Sequence, residues 1–354
     1  MVSESMTVFF AFIASYISIL MIKPLAIKVG LVDTPCTRKK HIGAIPLIGG
    51  VSIFMAVVFS VLIFFPLDKQ VVSYLACAGA IVILGVIDDY RQLGVRIRLS
   101  IQTLVALLMM WGSDVYIESL GELLFFTEVN LSWFGIPFTI ICVIAAINAF
   151  NMIDGIDGLA GSLSITTLVS VFVLMLLSGH FALAALPLVI VATIVPYLAF
   201  NLGIKGHRNK KIFMGDAGSM FIGLSVIWFL MICTQGESIT FRPVTALWII
   251  AVPLMDMLAI IIRRVRKGQS PFSADRDHLH HIFMRVGFSP RRALRAIVVF
   301  AIIMSGIGIL GEVLAIPDVI MLSLFIVIFI GYSTSLQHCW KIARFLRRKR
   351  TENG

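Results

Sequence analysis

Apolar residues in this chain come neither in strict alternation nor as one face of a helical repeat. They form long runs, and about 20 mostly apolar residues is what a helix needs to cross a bilayer core. Such runs centre on Val8–Ile22, Leu47–Phe65, Val71–Ile87, Leu99–Trp111, Ile136–Phe150, Leu159–Leu177, Phe181–Leu198, Met220–Thr234, Val244–Ile262, Ala293–Leu314 and Val319–Leu336. The pattern predicts about 11 membrane-spanning helices. The fourth run is the weakest, being short and bounded by Arg98.

Composition agrees. Of 354 residues, 59% are hydrophobic and 14% charged, against roughly 25% charged in soluble proteins, and the mean hydropathy is +1.00. A water-soluble pair of domains is excluded. The net charge of +10 would suggest nucleic acid in a soluble domain; here the cations sit in short loops, where they set topology, and nucleic acid is not expected as a partner. Cys36, Cys77, Cys142, Cys233 and Cys339 have no paired spacing, so neither a disulfide framework nor a metal knuckle is indicated. No Lys or Arg precedes Lys23 and no small-residue cleavage site follows the first run, which therefore reads as a span rather than a cleavable signal.

Charge counting orients the helices. With the N-terminus outside and loops alternating, 27 of the 29 Lys and Arg fall inside, leaving only Lys69 and Arg242 outside. The expectation is one all-α polytopic membrane domain over 1–354, its N-terminus periplasmic and its C-terminus cytoplasmic. Residues 112–135 form a periplasmic loop, 263–292 a cytoplasmic His/Arg-rich loop and 337–354 a basic cytoplasmic tail in contact with membrane lipids. No internal repeat is visible.

Acids break the basic trend of the inner face at a few places. Asp88 and Asp89 close the third run, where adjacent carboxylates repel and oppose the helix dipole, so holding both needs a cation or a proton. Asn148, Asn151, Asp154 and Asp157 follow at three-residue spacing, which keeps them roughly on one helix face. The glycines after both aspartates allow close backbone approach, and hard oxygen donors of this kind suit Mg²⁺ or Mn²⁺. Asp216 lies between Gly215 and Gly218 after the basic stretch Lys205–Lys211, either as a helix cap or as a ligand to an anion-bound metal. His278, His280 and His281 share the longest inner loop with Arg276 and Arg285; without Cys they suit phosphate binding or proton transfer better than structural zinc. Asp256 is the one acid inside a span, functional or paired by default. Together these residues suit a metal-assisted transfer between a soluble phosphate compound and a lipid phosphate, with the active site on the cytoplasmic face.

At these positions the chain resembles the polyprenyl-phosphate N-acetylhexosamine-1-phosphate transferase superfamily, in particular its bacterial branch that uses undecaprenyl phosphate. The resemblance runs from Lys23 to Arg350 and includes Arg38-Lys-Lys-His41 before Pro46-Leu-Ile-Gly-Gly50, the Asp88-Asp89 pair, the Asn/Asp-Gly block, the Gly215-Asp216 block and the His-x-His-His loop. It implies transfer of GlcNAc-1-phosphate from UDP-GlcNAc to undecaprenyl phosphate, giving GlcNAc-diphospho-undecaprenol and UMP. It also implies Mg²⁺ or Mn²⁺, the bacterial inner membrane, a homodimer, and the first membrane step of lipid-linked surface polysaccharide synthesis.

Residue by residue, the resemblance assigns Asp216 and Asn151 to the metal on the diphosphate. Asp88 would act as base on the lipid phosphate with Asp89 beside it. Asp154 would lie near the phosphates, and His280 and His281 would join this catalytic set. Phe213 and Asp157 would contact the uracil; His278 and Arg276 the diphosphate or sugar; Asn201 and either Lys40 or His41 would complete substrate binding. Leu279 interrupts the His triplet of the related muramoyl-pentapeptide transferases, which turns the expected sugar towards GlcNAc.

Two other classes compete with this reading. A proton- or ion-coupled lipid transporter would place its acids near the bilayer midplane, where only Asp256 lies. A CDP-alcohol phosphatidyltransferase shares the Asp-Gly block but needs a following Ala-Arg and a Gly-x-x-x-Asp-x-x-x-Asp that are absent here. Within the resembled family, UDP-GalNAc or UDP-MurNAc-pentapeptide would be the alternative donors.

Overall fold

The computed structural model describes residues 2–34, 43–123, 127–179, 184–204, 206–207, 210–236, 239–271 and 278–337. Its helices are α1 (Val2–Val29), α2 (Gly49–Phe64), α3 (Lys69–Arg91), α4 (Val95–Ser113), α5 (Gly135–Ile153), α6 (Leu159–Leu177), α7 (Ala185–Asn201), α8 (Gly215–Thr234), α9 (Pro243–Ile249), α10 (Ala251–Arg266), α11 (Leu279–Arg285), α12 (Pro290–Val313) and α13 (Asp318–Gln337). Among the described residues each apolar run of the sequence coincides with one helix, except Val244–Ile262, which is divided between α9 and α10. By length and composition eight are able to cross a membrane, or nine if the bent pair α9–α10 is one span; α2 and α7 fall short of that length.

The run Val244–Ile262 is therefore not the straight span expected. It bends by 81° between α9 and α10. Pro253 has no N–H to donate to the carbonyl of Ile249; the hydroxyls of Thr167 (3.4 Å) and Ser305 (3.5 Å) reach that carbonyl instead. The expected loop 263–292 is shorter as well, because α10 continues to Arg266, α11 forms inside it, and Pro290 starts α12.

Helix α8 occupies the centre. It is apolar around its whole circumference and buried almost throughout, packed by α2, α3, α5 and α6. The outer helices α1, α12 and α13 expose Phe9, Met21, Ile302 and Val327, as surfaces facing lipid do. Around the start of α8 three backbones nearly touch. A Cβ at Gly50 would stand 2.1 Å from the nitrogen of Gly218, and one at Gly85 would stand 2.3 Å from the Cα of Ala217. A short antiparallel pairing, β1 (Val32–Asp33) with β2 (Ile45–Pro46), continues into a parallel bridge between Leu47 and Phe213. The amide of Gly49 donates to Phe213 and that of Gly50 to Met214, both at 2.9 Å.

The end of the bundle remote from α8's start contains the two exceptional cations. Lys69 pairs with Asp114 at 2.7 Å, and Arg242 with Asp318 at 2.8 Å and Glu312 at 3.3 Å. Exposed Trp111 and Trp133 sit at the same end, as interfacial aromatics do.

Replacing Gly50 by Ala would push a methyl group into backbone that cannot rotate away. The expected loss is about 1–3 kcal/mol of stability, read as a lowered melting temperature in detergent. Replacing Gly94, whose surroundings are open, should leave the melting temperature near that of the unmodified protein.

Candidate active site

Six polar side chains from three chain segments meet at one end of α8. They line a cavity of about 500 Å³ bounded by the ends of α3, α5 and α7, the turn before α6, and the segment entering α8. Asp88, Asp89, Asn151, Asp154, Asp157 and Asp216 all face it.

Asp89 binds the start of α8. Its carboxylate accepts the amides of Asp216 at 2.9 Å and Ala217 at 3.3 Å, a favourable place for negative charge. Gly215, at φ +73°, leaves no room for a side chain, since a Cβ would come within 2.5 Å of the Asp89 carboxylate. Asp88 is 4% exposed and accepts the amide of Leu93 at 2.6 Å and the guanidinium of Arg98 at 3.0 Å. The adjacent carboxylates are thus held apart by different donors, one a cation and the other a pair of backbone amides. Arg98 was not among the expected site residues, although its position ten residues after Asp88 was the available signal.

Helix α5 ends at Ile153, so the expected single face is divided. Asn148 turns to α4, donating to Gln102 Oε1 at 2.9 Å. Asn151 donates to Asp216 Oδ1 at 2.8 Å and to Ser219 Oγ at 3.0 Å. Asp154 and Asp157 belong to the turn before α6, whose cap Gly158 has φ +79°. Asn201 holds that turn in place by accepting the amide of Gly158 at 2.6 Å and donating to the carbonyl of Ile212 at 2.9 Å; it forms part of the cavity wall with its amide already engaged. Asp157 pairs with Lys211 at 2.6 Å, and the Lys211 ammonium lies 5.1 Å from the ring centre of Phe213.

Burial, then the charges of Asp216 and Asp157, push the Asp154 carboxyl up to about 7. Negative charge is in excess here, which is the condition for binding a cation. The oxygen donors are of the hard kind that Mg²⁺ or Mn²⁺ takes. Among the described residues no group of three or more His, Cys, Asp and Glu side chains could hold a metal ion. Mg²⁺ is commonly bound by one or two carboxylates and completed by water and substrate phosphates, so Asp216 with Asn151 fits such an ion.

The His loop reaches the same region from the other side. His278 Nδ1 lies 2.8 Å from Asp256 Oδ2, and Asp256 Oδ1 accepts the Leu279 amide and the Tyr332 hydroxyl, both at 2.9 Å. His280 is 2% exposed and rests on Gly155. Burial and the neighbouring His281 and His278 hold its imidazole down at about 3, so it is neutral at physiological pH. The His281 ring centre is 4.2 Å from that of His280. Tyr332, an isolated tyrosine in an apolar run, offered no sequence signal. Lys40, His41 and Arg276 lie outside the described residues.

The profile of glycosyl transferase family 4 matches residues 71–234. Undecaprenyl-phosphate alpha-N-acetylglucosaminyl 1-phosphate transferase from Yersinia pestis is 45% identical, over 98% of this chain and 95% of its own. The proteins of that name from Escherichia coli strain K12 and Pasteurella multocida are 44% and 43% identical, over 92% and 96% of this chain and 89% and 95% of theirs.

The raised Asp154 carboxyl gives a signed pH effect. The folded state holds this proton more tightly than the unfolded chain, where an aspartate titrates near 3.9. The stability it contributes is therefore present at low pH and lost as pH rises through about 7. With divalent ions chelated, Asp154→Asn should melt close to the unmodified protein at pH 4 and several degrees above it at pH 8, the gap opening between about pH 4 and pH 7. Parallel melting curves across that range would remove the electrostatic account.

Proposed function

This chain belongs to glycosyl transferase family 4, and from that premise we propose that it transfers GlcNAc-1-phosphate from UDP-GlcNAc to undecaprenyl phosphate. The single observation that carries the reading is the convergence of Asp88, Asp89, Asn151, Asp154, Asp157 and Asp216 on one cavity at the end of a membrane bundle. A phosphate oxygen of the lipid attacks the phosphorus bearing the sugar, the bond from that phosphorus to the oxygen bridging the donor's diphosphate breaks, and UMP leaves carrying that oxygen. The products are UMP and GlcNAc-diphospho-undecaprenol. A phosphate oxyanion needs little activation, which favours one in-line displacement.

Asp216 and Asn151 are the residues that would hold Mg²⁺ or Mn²⁺; bound there, the ion would neutralise charge developing on the diphosphate. Phe213 offers a ring for the nucleobase, with Lys211 and Asp157 beside it. Arg98, drawn to the same edge by Asp88, supplies positive charge where an acceptor phosphate enters. His280 approaches over Gly155, with His281 beside it, towards the diphosphate and sugar. The isoprenoid tail has an apolar place as well, a second cavity of about 250 Å³ between α5, α8 and the α9–α10 bend, lined by residues such as Phe138, Leu230 and Leu247.

In this reading the chain crosses the bacterial inner membrane about eleven times, with the shorter apolar helices α2 and α7 counted as spans and the bent pair α9–α10 as one. The carboxylate cavity faces the cytoplasm, because the loops around it carry most of the Lys and Arg. Asp256 lends no support to a transporter, since its carboxylate is bound to the His loop rather than open to a pathway.

Purified protein incubated with undecaprenyl phosphate, Mg²⁺ and a panel of UDP-sugars should release UMP with UDP-GlcNAc and yield a lipid of the corresponding mass. Asp216→Ala and Asn151→Ala should each lower turnover by roughly two orders of magnitude or more while inserting normally into membranes. A lipid product carrying another hexosamine would reassign the donor. Accumulation of substrate in sealed vesicles without UMP would sink the transferase reading.

A further inference from the structure

Asp256 is 1% exposed and lies outside the lining of the carboxylate cavity. A buried carboxylate is costly unless its lone pairs are met. Here the three donors among the described residues come from outside its own helix: His278 and Leu279 at the start of α11, and Tyr332 on α13. The carboxylate therefore anchors the start of α11 between α10 and α13.

The hold passes along the loop. The His278 and His280 rings are parallel within 5°, their centres 5.9 Å apart. His280 rests on Gly155, where a Cβ would stand 2.1 Å from its Cε1. Among the described residues neither ring nitrogen of His280 has a hydrogen-bond partner. The ring is thus seated by packing alone, and its seat depends on whatever fixes His278.

We propose that Asp256, assisted by Tyr332, is a positioning residue for the transfer reaction. It orients His278 through Nδ1 and thereby seats His280 and His281 at the donor end of the cavity. The inference rests on the transferase reading above and adds to it a residue that touches neither substrate.

Asp256→Asn keeps the shape and one oxygen acceptor but offers His278 an amide in place of a carboxylate oxygen. Turnover should fall roughly tenfold or more, the cost of a misplaced site. The KM for undecaprenyl phosphate and the melting temperature should stay unchanged, and hydrogen–deuterium exchange across residues 278–285 should quicken. Tyr332→Phe should move turnover and exchange the same way by less, and it keeps the test open if Asp256→Asn fails to fold. Combining Asp256→Asn with His278→Gln should cost no more than the worse single change. Unmodified turnover and exchange in Asp256→Asn and Tyr332→Phe would overturn the proposal. So would a lowered melting temperature with both KM values rising together, which marks a merely structural residue. If the unmodified protein made no sugar-diphospho-lipid, the transferase reading would fail, while the exchange measurement would still decide whether Asp256 holds α11.

Discussion

The site is built outward from a contact between backbones. Gly50 against Gly218 and Gly85 against Ala217 bring α2 and α3 onto the first turn of α8 with no side chain between them. At that distance the Asp89 carboxylate reaches the amides of Asp216 and Ala217, and the bridge between Leu47 and Phe213 closes the other side. Asp216, Asn151 and Phe213 take their positions from this junction. Any side chain larger than hydrogen at Gly50 or Gly85 would move α8 relative to α2 or α3, and with it the spacing of the carboxylates.

That junction gathers like charges that would otherwise separate. Asp88 is compensated by Arg98, Asp89 by backbone amides and Asp157 by Lys211. Asp154 keeps its proton to about pH 7 because burial and two neighbouring acids oppose its ionisation. A cavity with this excess of negative charge and a basic margin is suited to a cation together with phosphates. At the far end of the bundle Arg242 is instead bonded to Glu312, Asp318 and two main-chain carbonyls, a closed arrangement that fastens helix ends.

The broken run α9–α10 connects the apolar and polar parts of the molecule. Its bend follows from Pro253 and from hydroxyls that satisfy the freed carbonyl. One side of the bend opens an apolar cavity, and the second limb carries Asp256 to the His loop. An acid that a linear reading puts inside a span is in the fold part of the support for the site.

The sequence by itself determined the helical membrane class, the position of every apolar segment and the identity of the chemical groups. These depend on local properties: run length, charge sign and the spacing of Asp, Asn and Gly. It could not determine that Asn148 turns to Gln102 while Asn151, on the same helix, turns to Asp216, nor that the helix ends before Asp154 and leaves that acid in the following turn. Nor could it show that Asn201 is engaged in holding the Gly158 turn, or that Arg98 and Tyr332 belong beside the acids. Those facts arise from contacts between residues far apart in the chain, and one residue's type carries no record of which distant partner its hydrogen bonds will find. The bend at Ile250 lies between the two cases, since Pro253 permits it locally but Thr167 and Ser305 must arrive from other helices to satisfy the carbonyl it frees.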